Sequence, residues 1–336
     1  MTDHASLAAP HRAAAALKRP LRAILLPLLA ASIPTAVFAA PRIVADIAPL
    51  HSIAAAVAEG VSDPSLLVGD DASAHSFALR PSQAAALQEA DLVVWAGPAL
   101  NPALEGPIVS LAAGAEVMSL LDVPGTHLLA AREESLPSSQ EDEDGHGSDD
   151  GHGHDHGHSD ENGLGIDPHA WLDPRNAVIW GRALAGALSR IDPENAERYA
   201  ANAERLAGTL TALDDEIAAR LAPLAARPLL VGHDAWQYVE RRYALDVVGA
   251  VTLSDARDPG PARLAALRDM AQQRAPVCVL DEPGRTRASW EVILDRREVR
   301  EVTIDPAGAG REPGPALYAD LLRELSVKLA DCLAPG

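Results

Sequence analysis

Residues 192–226 read DPENAERYAANAERLAGTLTALDDEIAARLAPLAA. Asp192 followed by Pro193 is a helix-start signal, and helix-forming sequence then runs with almost no breaker to Pro223. Leu206, Leu210, Leu213 and Ile217 recur at helical spacing. About 30 residues of helix would span roughly 45 Å. The sequence on either side alternates between short apolar runs and helical patterns, so this stretch predicts a stiff helix between two α/β units. An ordinary helix packed within one domain is the plainer alternative at this point.

Upstream, Ile43–Ala45, Leu66–Val68, Leu92–Trp95 and Val117–Leu120 read as strands with helices between them. Strand–helix–strand repetition predicts a parallel sheet. Pro81 opens one of these helices, since proline at the first helical position removes no needed donor. Downstream, Leu229–Val231, Val247–Val251, Val277–Leu280 and Val302–Ile304 repeat the pattern. The expected fold is therefore two similar α/β lobes with parallel sheets joined by a long rigid helix. The expected boundaries are a signal peptide at 1–39, an N-terminal lobe at 40–191, the linker helix at 192–226 and a C-terminal lobe at 227–336.

The leader follows from Arg12, Lys18, Arg19 and Arg22 preceding an apolar run, Ala23–Ala31, with Val37 and Ala39 fitting a small-residue cleavage rule. A membrane anchor is the alternative, but the run falls short of the roughly 20 residues of a span and contains Pro27. Export suggests that Cys278 and Cys332, the two cysteines of the chain, form one disulfide. A metal or redox pair is less consistent with their wide spacing.

Composition excludes other classes. The 336 residues carry 48 acidic against 28 basic groups, a formal charge of -20, which repels phosphate backbones and argues against nucleic-acid partners. Aromatic content of 3% leaves little for a base-stacking or sugar-binding platform.

Much of the acidity is local. Residues 133–161 hold 11 acidic and no basic residues together with His146, His152, His154, His156 and His158, and bury too little apolar surface to order themselves. Imidazoles alternating with Gly and Asp can be turned onto one cation by a flexible backbone, and imidazole suits zinc, copper and nickel. This segment reads as an auxiliary metal loop that binds further ions weakly and releases them as pH falls through about 6.5.

Four other residues lie where parallel sheets place function. His75 follows the strand ending at Val68, His233 comes two residues after Val231, and Asp305 directly follows Ile304, all beyond strand carboxyl ends. His169 sits in a stretch stiffened by Pro168 and Pro174. Three imidazoles and a carboxylate make a tetrahedral zinc set if the lobes face each other. Taken singly, each histidine also reads as a capping or hydrogen-bonding residue, and Asp305 before Pro306 as a turn former. His51 reads as packing near the first helix, His127 as plain loop, and the tryptophans as core or pocket wall.

The order Pro49-Leu50-His51-Ser52, ASAHSFALRPSQ (72–83), ADLVVWAG (90–97), DPHAWLDPRN (167–176), GHDAW (232–236), Cys278 to Pro283, Ile304-Asp305-Pro306 and Cys332 resembles the ZnuA-type zinc-binding solute-binding proteins of ABC importers. These belong to a metal-specific cluster with a rigid helix between two lobes. The resemblance implies His75, His169 and His233 as ligands, with Asp305 or water in the fourth position. It implies Zn²⁺ as the bound ion, one tight interlobe site beside weaker ions in the histidine-rich loop, and an ABC permease membrane subunit as partner. Periplasmic zinc chaperones are compatible further partners, and a monomer is expected. Histidine rather than glutamate at position 233 favours zinc over manganese. Ala74 stands where some members carry an additional glutamate, and Pro283-Gly284-Arg285 lacks the aromatic character often found there.

The resulting expectation is capture and delivery of zinc in the periplasm, without catalytic turnover. Two rival readings are a metal buffer or manganese-type relative, and a zinc hydrolase using Asp281 or Glu282 as base. For the latter, neither an HExxH motif nor a nucleophile elbow is present.

Overall fold

A computed structural model describes residues 39–69, 74–75, 79–132, 165–252, 259–283 and 288–335. The leader expected at 1–39, apart from its last residue, and the five histidines of the acidic loop lie outside them.

The first half runs β1 (Ile43–Ala45), α1 (Ala48–Ala58), β2 (Ser65–Leu66), α2 (Pro81–Glu89), β3 (Leu92–Trp95), α3 (Glu105–Leu111) and β4 (Glu116–Ser119). Its strands pair in parallel in the order β2-β1-β3-β4. Two long helices follow, α4 (Pro174–Ile191) and α5 (Ala196–Leu221). The second half runs β5 (Leu229–His233), α6 (Gln237–Tyr243), β6 (Val247–Thr252), α7 (Pro261–Arg274), β7 (Cys278–Asp281), α8 (Ala288–Leu294), β8 (Arg300–Thr303) and α9 (Leu317–Leu333). Its sheet is also parallel, in the order β6-β5-β7-β8. The two sheets share one design, with the first strand of each half inside the sheet and the second at its edge. Strand limits move by a few residues from expectation. The second strand is Ser65–Leu66, the last begins at Arg300, and β5 continues through His233, which is a strand residue and not a loop residue.

Side-chain alternation divides the packing into three cores. Ile43, Ala45, Leu92, Val94, Leu229, Val231, Cys278 and Leu280 face one shared inner core, filled by α1, α4, α5 and α9. Val44, Val93 and Trp95 face an outer core against α2 and α3. Leu230 and Val279 face a second outer core against α7 and α8. This is the period of two expected of strands buried on both faces.

The central helix is flanked by 3₁₀ turns at Pro193–Asn195 and Ala222–Leu224, so the chain is helical from 193 to 224. It is no bare connector: Tyr199, Leu206, Leu210, Leu213, Ile217 and Leu221 are buried. Helix α5 packs along α4 and also against α1 and α9. Asp192 occupies the cap position, but its carboxylate accepts from Tyr199 Oη and Asn195 Nδ2, each at 2.7 Å, and not from a helix amide. The pair Cys278 and Cys332 is disulfide-bonded, tying β7 to α9. Among the described residues, no helix is long and apolar enough to cross a membrane.

Candidate metal centre

Three chain segments deliver one imidazole each. His75 lies in a turn whose Ala74 carbonyl accepts from the Nδ2 of buried Asn101, 3.3 Å away. His169 follows Pro168 and precedes the 3₁₀ turn Ala170–Leu172. His233 ends β5, beside the carboxyl end of its sheet neighbour β7.

The three rings meet edge to face, with centroids 5.1 Å apart for His75 and His169, 5.4 Å for His75 and His233, and 5.0 Å for His169 and His233. One donor atom from each lies within 4.8 Å of the others. The Nε2 atoms of His75 and His169 are 3.2 Å apart. Two nitrogens bound tetrahedrally at 2.0–2.1 Å from one zinc stand about 3.3 Å apart, so this pair already has the spacing of two ligands of one ion. His169 and His233 are buried at 3% and 1% exposure, whereas His75 is partly exposed. The centre is thus closed behind and accessible on the His75 side.

Two carboxylates orient the buried rings. Asp167 Oδ1 accepts from the His169 backbone N–H at 3.0 Å and from its Nδ1 at 2.8 Å. Glu282 Oε1 lies 3.2 Å from His233 Nδ1. With the Nδ1 protons directed to carboxylates, each Nε2 presents its lone pair, the form a metal ligand requires. Burial pushes the Asp167 carboxyl up to about 7, opposed by the His169 N–H and by nearby His233, Arg132 and His75. The orienting residues hold their places through longer-range bonds. Tyr238 Oη donates to the Asp167 carbonyl, and Trp290 Nε1 donates to Asp281 beside Glu282.

The fold brings together three of the four residues singled out as ligands. Asp305 is not in this donor cluster: its Oδ1 accepts from Ala307 N at 2.7 Å and Gly308 N at 3.0 Å, closing a turn. Glu282, considered as a catalytic base, borders His233 instead. His51 packs in α1 with its Nε2 2.9 Å from the Pro64 carbonyl. Asp167 and Asn101 carried no assigned role in the sequence. The Asp-Pro-His spacing is a signal that could have found Asp167, since it places a carboxylate two residues before the ring it orients; Asn101 had no such local signal.

In a fold of two parallel-sheet halves, three converging imidazoles make a group that could hold a metal ion. The chain matches the family described as zinc-uptake complex component A, periplasmic, over residues 43–332, and it belongs to that ZnuA family. The high-affinity zinc uptake system protein ZnuA of Paracoccus denitrificans is 42% identical over 299 residues, covering 87% of this chain and 92% of that protein. A ZnuA crystal structure superposes with a TM-score of 0.69 at 22% identity, covering 88% of this chain and 100% of the other. The periplasmic zinc-binding protein TroA of Treponema pallidum gives 0.70 at 19% identity, covering 88% and 99%. At these identities the two structures establish the shared fold.

Proposed function

We infer that this chain captures Zn²⁺ in the periplasm through His75, His169 and His233 and passes it to an ABC-type membrane permease. The observation that carries this reading is the convergence of three imidazoles whose donor atoms lie within 4.8 Å of one another, two of the rings buried and held by carboxylates and one pair already at the spacing of two ligands of one zinc. Family membership and the names of its zinc-uptake relatives support it. The fourth position belongs to water or to a rearranged Asp305. The ion is cargo: the neutral imidazoles bind it and the permease disturbs them to release it. Residues 1–39 act as the export signal, and the histidines at 146, 152, 154, 156 and 158 gather further ions weakly.

The test is metal content and zinc affinity of residues 40–336 beside a variant with alanine at His75, His169 and His233. Loss of one tight zinc with survival of weaker binding is the expected result. Survival of the tight zinc overturns the assignment and moves the main site to the acidic loop, with a buffering role.

A further inference from the structure

We propose that Arg132 is a specificity-determining positioning residue of the imidazole centre, holding the Asp234 carboxylate away from the metal so that the protein's donor set stays nitrogen-rich. The proposal rests on the reading of His75, His169 and His233 as the zinc ligands.

Asp234 directly follows His233 and is only 8% exposed. It lies within electrostatic reach of both His233 and Asp167. A buried carboxylate beside a dication site tends either to join the coordination sphere or to find another cation, because burial without a partner is costly. Here the other cation is Arg132, whose Nη1 lies 3.2 Å from Asp234 Oδ1 and whose Nη2 lies 2.5 Å from Glu240 Oε2. Arginine suits this task because it stays charged and its fork holds two carboxylates in fixed directions.

The guanidinium is delivered by a built support. Ala130 pairs with Ile166 in an antiparallel bridge, Ala131 N donates to Gly165 O at 2.7 Å, and Asp167 N donates to Leu129 O at 2.9 Å. Gln237 Nε2 donates to the Ala130 carbonyl, and Leu129 N donates to Tyr238 Oη. This two-stranded stem therefore ties the segment carrying His169 to α6, just beyond His233, and places Arg132 between Asp234 and Glu240.

The consequence is chemical selectivity. Asp167 and Glu282 already contact imidazoles; Asp234 instead pairs with Arg132 at 3.2 Å, while its other cationic neighbour, Arg263, donates to the Val251 and Ala250 carbonyls. Released, Asp234 would add an oxygen donor to a centre with a fourth position to fill. Oxygen donors favour manganese and magnesium, whereas an imidazole set favours zinc.

The experiment uses the mature chain, residues 40–336, loaded with Co²⁺ for its visible spectrum and titrated separately with Zn²⁺ and Mn²⁺. Arg132→Ala should lower the zinc-over-manganese preference at least tenfold and weaken the intense bands of tetrahedral cobalt. The double variant R132A/D234N should restore both. If R132A does not fold by circular dichroism, Arg132→Gln carries the same expectation. An unchanged spectrum and preference in the arginine variant overturns the proposal. So does a double variant that fails to recover, since that outcome assigns the effect to the stem and not to Asp234. If the unsubstituted chain binds neither cobalt nor zinc, the zinc-capture reading itself falls; if it binds both and only the arginine predictions fail, that reading stands.

Discussion

Replacing Asp167 should weaken zinc binding in graded fashion. Its Oδ1 is the acceptor for both the backbone N–H and the Nδ1 of His169, at 3.0 and 2.8 Å. In Asp167→Ala both bonds go, and His169 loses the interaction that fixes its proton on Nδ1. A hydrogen bond to a charged group contributes about 1.5–3 kcal/mol. If the metal-dependent part is one such bond, affinity falls by roughly 10- to 100-fold, the range seen for partners of metal-ligating histidines. Asp167→Asn keeps an oxygen at the same place, so orientation survives while the charge is lost. Its deficit should be about tenfold or less, since neutral hydrogen bonds are roughly half as strong as charge-assisted ones. The assay is competition against a chromophoric zinc chelator at pH 7.5, with circular dichroism confirming the fold. Alanine and asparagine variants both within twofold of the parent chain would refute the claim that Asp167 orients His169. Equal large losses in folded variants would refute the separation of geometry from charge.

Three further outcomes follow from packing and charge. The double replacement C278A/C332A opens a bridge spanning 54 positions and should cost on the order of 4 kcal/mol in chemical denaturation, by loop entropy; a loss under 1 kcal/mol would contradict that account. Leu210→Ala removes a fully buried side chain from α5 and should cost about 2–5 kcal/mol, while zinc affinity measured well below the melting temperature changes less than threefold. Asp46 is fully buried, and burial pushes its carboxyl up to about 7 against the opposing N–H groups of Ala96 and Ile47. A carboxyl raised in the folded state favours the protonated fold. Its contribution is therefore greatest below the unfolded value of about 4 and is lost as pH rises through about 7. Melting temperatures of the metal-free chain from pH 5 to 8 should consequently fall more steeply than those of Asp46→Asn; equal slopes would exclude Asp46 as a source of the dependence.

The apolar runs made both sheets legible because strands buried on two faces need nearly continuous hydrophobic sequence, as in Leu92–Trp95 and Leu229–Val231. The central helix was legible from its spacing and lack of breakers. His75 and His233 were legible because parallel strands present ligands at their carboxyl ends, and His169 because it stands in a stretch stiffened by Pro168 and Pro174. What escaped was decided by tertiary partners. Asp192 has the chemistry of a cap, but Tyr199 folds back to claim its carboxylate. Asp305 reads both as a ligand and as a turn former, and the amides of Ala307 and Gly308 engage its Oδ1 in a turn. Arg132 and Asp234 are 102 positions apart, and no local pattern joins them. Such choices depend on which donor arrives first in space, a quantity that periodicity does not contain.

The shared inner core constrains how an ion can leave. A wide hinge between the halves would have to pull α9 from α5 and α1, exposing residues such as Leu322, Leu325 and Leu329 that are 3% exposed or less. Each such side chain contributes about 1.5–3 kcal/mol when buried, so a few of them exceed the 1–3 kcal/mol typical of coupling between sites. Polar ties add to this: Tyr318 Oη donates to the Trp171 carbonyl at 2.5 Å, and Trp171 Nε1 donates to the Pro306 carbonyl at 2.9 Å. They fasten the turn after His169 to the second half. His169 and His233 are therefore fixed by core, carboxylates and cross-ties together, while His75 sits partly exposed at the rim. A docking protein that displaces the His75 segment can dismantle a three-imidazole site without opening the core. On the proposed reading of the three imidazoles as ligands, small movement at His75 is the less costly route to release, and the packing of α5 against α1, α4 and α9 favours it.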